Sequence, residues 1–375
     1  MRIYLVGGAL RDRLLDLPVK DRDWVVVGAT EQAMLDLGYR RADSEFPVFL
    51  HPETGEEYAL ARRETKTGLG YKGFDVYAGP DVTLEQDLQR RDLTINAMAE
   101  DETGGIVDPF NGRVDLDDGI FRHVSPAFVE DPVRVLRVAR FAAKLGQWGF
   151  KVAHGTHALM KKMADSEDMA ALRRQRIWQE MQRALVENQP WRFFQVLHRC
   201  GALSSLLPGM AALFAEPQGH ADTRLPDPME ALERITKTTT DARARFVVAC
   251  FRAAENTGDS TLDLPVEKGY RELMELTLNL GPLFHSPLIA DAAQTLEFLE
   301  KGRALQQPER FALLLLICSA LWPEQAEQAC DLFRSASDVI SGISAESLQA
   351  DGLAGAELGR ALREQRLQAI ARLFS

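Results

Sequence analysis

The chain reads as an α/β head followed by an all-helical remainder, and three observations predict this. The first part alternates short apolar runs with short helical patterns, as in IYLVGG, ALRDRLLDL and DWVVVG. From about Pro126 onward nearly every segment has helical period, as in PVRVLRVARFAAKLG and RIWQEMQRALV. A length of 375 residues is enough for two or three domains with sizeable cores. The expected divisions are a head over residues 1–125, a helical neck over 126–207 and a helical body and tail over 208–375.

Within the head, IYLVGG predicts a strand, ALRDRLLDL a short helix, DWVVVG a second strand and EQAMLDLG a second helix. VFLH and EEYALAR read as strands, and RRETKTGLGYKGFDVY as a glycine-rich basic loop. LEQDLQRRDLTINAMAED reads as one further helix, and GIVDPF as a strand leading into an Asn111-Gly112 turn. THALMKKMA and WRFFQVLHRCGALSSLL continue the helical part, and AEPQGHADTRLPDP, around residues 215 to 228, reads as a linker or surface loop. Further helices run to Ser375 without an internal repeat.

Formal net charge is −11, so a nucleic-acid partner would need a local basic surface on an acidic body. Cys200, Cys250, Cys318 and Cys330 are scattered without CxxC spacing, which fits a reducing compartment and argues against a zinc ribbon. The start MRIYLV shows no secretory pattern, and FALLLLICSALW, residues 311–322, is too short to span a bilayer. The expectation is a cytoplasmic protein with no membrane contact.

Three motifs carry chemistry. In VKDRDWVVVG, Asp21 and Asp23 are two residues apart at the entrance to an apolar strand, so they would share one face. Like charges so placed call for a cation or many donors. Gly7-Gly8 follows a strand and opens a helix, with Arg11 one turn in, a pattern that lets backbone N–H groups approach an anion. Either motif alone is most often a tight turn or a solvated strand end. Together they place a phosphate cradle beside hard carboxylates suited to Mg²⁺, and two such ions are the standard means of assisting in-line phosphoryl displacement.

The third motif is arginine-rich. In LQRRDLTINAMA, the functional reading puts Arg91 on phosphate and Asp92 or Asn96 on ribose hydroxyls; the bland reading is an amphipathic helix with an internal ion pair. In FVEDPVRVLRVARFAAK, Arg134, Arg137 and Arg140 recur every third residue while apolar side chains fill the other face, a sharper signal whose bland reading is a solvated charged face.

The ordered set GGALRD, DRDWVVVG, RRDLTINAMAED, DPFNG and EDPVRVLRVARF resembles the bacterial class II tRNA nucleotidyltransferases, the CCA-adding enzymes, in particular those of proteobacteria. The resemblance is dense from Met1 to about Leu207 and thin beyond. It implies an α/β nucleotidyltransferase head, a small mixed sheet with helices, followed by an all-α neck, body and tail. Asp21 and Asp23 match the family's catalytic metal-binding carboxylates, for two Mg²⁺ ions. Gly8, Arg11, Arg91, Asp92 and Asn96 match nucleotide-binding positions, the last two on the ribose side. Asp131 and Arg134 match the pair that acts as an amino-acid template for the incoming base, and Arg137 and Arg140 match two further nucleotide contacts. Glu57 is a candidate third carboxylate.

The template makes physical sense. Cytosine and adenine each offer an exocyclic amino donor beside a ring-nitrogen acceptor, which a carboxylate and an arginine complement. Uracil and guanine present a carbonyl oxygen where the carboxylate would sit. The loop Arg62 to Phe74 lies where the family's flexible loop for the change from C to A addition is found, although RRETK departs from the usual charge order.

The implied substrates are CTP, ATP and the tRNA acceptor stem and 3′ end, with no obligatory protein partner evident. Lys161, Lys162, Arg173, Arg174, Arg176 and Arg183 are candidates for acceptor-stem phosphates. Many proteobacterial relatives carry a C-terminal HD phosphohydrolase; here Phe251-Arg252 stands in the place of its His-Asp pair, so that activity is expected to be absent. The competing readings are a bacterial poly(A) polymerase, an enzyme adding only C or only A, and an idle RNA-binding module. HVSPAF before EDPVR and the lack of a strongly basic C-terminal tail weigh against the first, and intact Asp21, Asp23 and Arg91 against the last.

Overall fold

The structure, a computed structural model, describes residues 1–19, 21–42, 46–68, 73–215, 227–285, 291–350 and 353–374. The chain forms two compact units, one of residues 1–180 with 192–206 and the other of residues 181–191 with 207–375.

The strands of the first unit are β1 (Arg2–Val6), β2 (Asp23–Val27), β3 (Arg40–Arg41), β4 (Val48–Leu50), β5 (Glu57–Leu60), β6 (Arg63–Lys66), β7 (Phe74–Tyr77), β8 (Ala99–Glu100), β9 (Ile106–Val107), β10 (Ile120–Phe121) and β11 (Lys151–Val152). Seven form a mixed sheet in the order β3-β4-β5-β2-β1-β8-β9, parallel only between β2 and β5. Alternation along the strands sets the two faces. Tyr4, Val6, Val25 and Val27 pack with Leu84, Leu88, Ala97 and Ala99. Val26 turns the other way, onto Met34, Phe49, Tyr58 and Leu60.

The helices of this unit are α1 (Gly8–Leu14), α2 (Glu31–Asp36), α3 (Leu84–Gln89), α4 (Gly112–Asp117), α5 (Val133–Leu145), α6 (His154–Ala164), α7 (Glu167–Ala170), the start of α8 (Arg174–Leu185), α9 (Trp191–Arg199) and α10 (Ala202–Leu206). Gly201, at φ +85°, separates the last two, which the sequence pattern joins. The helical part is not purely helical, because β11 pairs in parallel with β10. The segment predicted as a basic loop contains an antiparallel hairpin of β6 and β7. Leu69 to Lys72 lie outside the described residues, as do 216–226 of the expected linker.

A longer segment also departs from expectation. LEQDLQRRDLTINAMAED is not a single helix: α3 starts at a Thr83/Gln86 capping box and stops at Gln89, residues Thr94–Asn96 make one 3₁₀ turn, and β8 follows. Every residue from Asp92 to Ala99 is buried, which no one-sided surface helix allows. The backbone finds partners elsewhere. Thr94 N donates to Arg122 O at 2.9 Å, and Leu93 N donates to the Asp92 side chain at 2.8 Å. Gly112, from the DPFNG motif, closes the packing: a Cβ there would stand 2.3 Å from the Thr94 carbonyl oxygen.

The second unit is helical, with α11 (Pro208–Ala215), α12 (Pro228–Thr236), α13 (Ala242–Thr257), α14 (Lys268–His285), α15 (Ala292–Lys301), α16 (Pro308–Leu321), α17 (Ala326–Ser341), α18 (Ala345–Ala350) and α19 (Gly355–Ala371). Phe298 stacks on Phe333 at 4.0 Å, and α16 buries Phe311, Leu314, Leu315 and Ile317. Arg245 of α13 is buried, its guanidinium donating to the carbonyls of Leu185, Glu187, Thr236 and Thr239. Phe251 packs edge-on against Trp322. A cavity of about 460 Å³ in this unit is lined by Asp241, Glu272 and Glu309 as well as Arg243 and Arg310, so its lining does not favour phosphate. Among the described residues no helix is long and apolar enough to cross a membrane.

Candidate active site

The sheet register places the first carboxylate. β1 and β2 are antiparallel with Val6 opposite Asp23, so Asp23 faces the residue just before the glycine pair. On its other side, parallel pairing sets Glu57 of β5 opposite Asp23. Asp21 lies just before the strand rather than on it, so the two carboxylates do not share a strand face as the spacing predicts. The two still sense each other. Desolvation pushes the Asp23 carboxyl above its usual range and Asp21 adds to this, while Arg91 and Arg137 oppose it. A carboxylate made uncomfortable in this way is relieved by a bound cation.

Among the described residues no three His, Cys, Asp or Glu side chains are grouped to hold a metal on their own. Asp21 and Asp23 are hard oxygen donors, the kind that fits a divalent cation whose shell is completed by water and substrate phosphate.

The glycine pair brings two guanidiniums close. Gly7 has φ +71°, and a Cβ there would meet Arg91 Nη1 at 3.0 Å; one at Gly8 would lie 3.5 Å from Arg11 Nη2. The RRD segment thus packs under the β1–α1 turn. Arg91 Nη2 donates to Asp87 at 3.2 Å, and its buried Nε has no hydrogen-bond partner among the described residues.

Behind this lies a buried chain of side chains. Lys144 donates to Asp12 at 2.7 Å, and Asp12 also accepts Arg11 Nε at 2.9 Å and Nη2 at 2.6 Å. Arg11 Nη1 donates to Asn96 Oδ1 at 2.6 Å, Asn96 Nδ2 to Asp92 Oδ1 at 3.0 Å, and Arg137 Nε to Asp92 Oδ2 at 2.6 Å. Burial alone would raise the Asp92 carboxyl, but Arg137 and the Asn96 and Leu93 donors outweigh it and hold the group well below the usual range. Asp92 and Asn96 are thus engaged in orienting Arg11 and Arg137.

Arg11, Arg137 and Arg140 share one aromatic neighbour. Their guanidinium carbons lie 4.9, 5.7 and 4.5 Å from the centroid of Phe141. Arg140 Nε also donates to Glu180 at 2.6 Å. Among the described residues, Arg137 and Arg140 each commit Nε to a carboxylate and no hydrogen bond engages their Nη groups.

Arg134 is buried rather than on a solvated face. Its Nη1 and Nη2 donate to the carbonyls of Ala127 at 2.8 Å and Arg90 at 2.7 Å, and Asp131 accepts the Val133 backbone N–H at 3.0 Å. The protein therefore holds both side chains of the expected base template on its own backbone.

Residues 3–122 match the family model of the poly A polymerase head domain, and residues 149–214 that of the probable RNA and SrmB-binding site of polymerase A. A multifunctional CCA protein of Thioalkalivibrio sulfidiphilus is 46% identical over 405 residues, covering 100% of this chain and 98% of that protein. The CCA-adding enzyme of Pseudomonas putida is 46% identical over 377 residues, covering 99% and 98%. The chain belongs to the bacterial class II CCA-adding enzymes.

Among solved CCA-adding enzymes, that of Bacillus stearothermophilus in complex with CTP matches with TM-score 0.67 at 21% identity, covering 99% of this chain and 88% of that one. The Thermotoga maritima enzyme complexed with tRNA matches with TM-score 0.68 at 19% identity, covering 99% and 87%. These structural likenesses establish the fold, which is the expected mixed-sheet head followed by helices.

In this member of the CCA-adding family, sequence reasoning missed Asp12, Asp87, Phe141 and Glu180, which hold the motif arginines, and Lys144, which pairs with Asp12. Asp87 alone had a visible signal, since it stands four residues before Arg91 in a helical pattern. The others are joined through tertiary packing. Of the basic candidates beyond α5, Arg174 donates to the Leu206 carbonyl at 2.6 Å, while Lys161, Lys162 and Arg173 are exposed.

Proposed function

We propose that this protein builds and repairs the 3′-terminal CCA of tRNA, without a nucleic-acid template, at a single site lined by Asp21, Asp23, Gly8, Arg11, Arg91, Arg137 and Arg140. The observation that carries this reading is the register pairing Val6 with Asp23. It sets a carboxylate beside the Gly7-Gly8 turn, under which Arg91 and Arg11 lie. That juxtaposition suits a triphosphate whose α-phosphate must meet both charge neutralisation and an incoming hydroxyl.

In the proposed reaction the tRNA 3′-oxygen forms a bond to the α-phosphorus of CTP or ATP, the bond to the bridging oxygen breaks, and pyrophosphate leaves. Asp21 and Asp23 would hold the divalent ions, two in our reading, and ions bound there would supply Lewis-acid charge neutralisation at the reacting phosphate. The side chains do the positioning. Arg91 and Arg11 bind phosphate, and the Nη groups of Arg137 and Arg140 donate to further nucleotide oxygens. Asp92 and Asn96 fix the arginines, with the ribose at their edge. Asp131 and Arg134 pair with cytosine or adenine through the carboxylate oxygen and N–H groups that their backbone bonds leave over. The helical unit, in this proposal, holds the tRNA by shape and phosphate contacts, and the four free, buried cysteines accord with a reducing, cytoplasmic setting.

Incorporation into tRNA transcripts lacking CCA, with labelled CTP alone, ATP alone or both, tests the reading. The expected ladder stops after two C residues with CTP alone and after CCA with both. Long A-tails would establish a poly(A) polymerase instead, and arrest after C or failure to add it a partial enzyme.

A further inference from the structure

The structure assigns to Asp87 a positioning role that couples the β6–β7 hairpin to the nucleotide-binding arginines. This rests on the proposed contacts of Arg91 and Arg134 with nucleotide. Asp87 is fully buried on α3, yet its two oxygens face donors from three places. Oδ1 accepts Arg90 Nη2 at 2.7 Å, Arg90 Nε at 3.1 Å and the Arg62 backbone N–H at 3.3 Å; Oδ2 accepts Arg91 Nη2 at 3.2 Å. Burial disfavours the anion, but Arg90 and Arg91 outweigh it and hold the carboxyl below its usual range.

The same cluster reaches in two directions. Toward the hairpin, Glu64 of β6 accepts Arg62 Nε at 2.9 Å and Arg90 Nη1 at 3.0 Å, so Arg90 is clamped between Glu64 and Asp87. Further along β6, Lys66 donates to Asp168 at 2.6 Å. Toward the nucleotide, the carbonyl of Arg90 accepts Arg134 Nη2 at 2.7 Å, while Arg91 projects beneath Gly7. A shift of the hairpin that pulls on Glu64 therefore moves Arg90, and with it the anchor of Arg134 and the partner of Arg91. Apolar side chains of similar volume would fill the space at comparable stability. What the charged cluster adds is a defined, directional position for two arginines. Asp87 touches neither substrate nor metal in this account, and acts only through Arg91 and Arg90.

The test uses the full-length protein, steady-state nucleotide addition to tRNA transcripts, and the variants Asp87→Asn, Glu64→Gln, Arg91→Ala and the Asp87→Asn/Glu64→Gln double variant. Asp87→Asn keeps the volume and one acceptor but loses the charge. The expected result is a rise of about tenfold in KM for both CTP and ATP with kcat within about threefold. Glu64→Gln, on the hairpin side, is expected to give a smaller rise in KM, and the double variant no more than Asp87→Asn alone, as coupled sites require. A loss of kcat at unchanged KM would mark Asp87 as merely structural and overturn the inference, as would additive effects in the double variant. If Asp87→Asn fails to fold, Glu64→Gln decides, and an unchanged KM for it overturns the coupling. Arg91→Ala separates the two levels. An unaltered KM there contradicts the proposed nucleotide site itself, whereas a raised KM there with a normal one in Asp87→Asn contradicts only the role given to Asp87.

Discussion

Arg137 Nε donates to Asp92 Oδ2 at 2.6 Å, tying α5 to the RRD segment through a buried carboxylate. Because Asp92 also accepts from Asn96, and Asn96 from Arg11, this one pair fixes arginines on two helices. Removing the carboxylate leaves a guanidinium without its counter-charge beside a buried amide, so Asp92→Asn should destabilise the first unit by about 3 kcal/mol at neutral pH.

The pH dependence of that loss has a definite sign. The carboxyl of Asp92 lies below its usual range in the fold, so its contribution is fully present above the unfolded value and is lost as pH falls through the folded one. The stability gap between wild type and Asp92→Asn is expected to be constant above about pH 5 and to narrow below about pH 4. Urea unfolding of both proteins at pH 3 to 7 checks this; a gap that widens on acidification would contradict it.

Gly7→Ala adds strain of about 1 kcal/mol for a Cβ at positive φ. It also sets that Cβ 3.0 Å from Arg91 Nη1, where the guanidinium must move. The expected outcome is a KM for CTP and ATP raised about tenfold with tRNA affinity unchanged, the size of one lost charged hydrogen bond. Nucleotide titration and tRNA gel-shift on the same preparation measure both.

Arg134→Lys replaces a planar fork that reaches two carbonyls, Ala127 and Arg90, with a single ammonium. The base template then loses its fixed geometry. Discrimination against UTP and GTP, measured as the ratio of kcat/KM values, should fall by about tenfold to a hundredfold, while CTP incorporation falls less.

Phe141→Leu removes the ring shared by Arg11, Arg137 and Arg140. Each lost cation–π contact weakens placement by about 0.5–1 kcal/mol, so nucleotide kcat/KM should drop about tenfold or more, with a small change in thermal stability. Unchanged kinetics would show that the three arginines are held without the ring.

The head strands were legible in the sequence because their apolar alternation is dictated by the two faces of the sheet, as Val25 and Val26 illustrate. The segment after Arg90 was not. Its eight consecutive buried residues obey neither period, since packing surrounds them on all sides, and the Asp92 side chain competes for the backbone N–H of Leu93. The motif residues of the site were visible as residue types, Arg11, Asp23 and Arg137 among them. Their orientation was not, because Asp12, Phe141 and Glu180 act on them across the fold from positions whose spacing carries no signal. Arg134 shows the limit most plainly: its three-residue spacing from Arg137 suggests an exposed stripe, yet it is buried and bonded to two carbonyls.

In the proposed mechanism one pair of carboxylates, Asp21 and Asp23, serves the addition of both nucleotides. The most direct measurement is single-turnover addition of C to tRNA lacking CCA and of A to tRNA ending in CC, by wild type, Asp21→Ala and Asp23→Ala, with tRNA binding measured alongside. Loss of the carboxylates should lower both additions together by about a thousandfold or more, at unchanged tRNA affinity. Retention of either addition at near wild-type rate in either variant would contradict the claim.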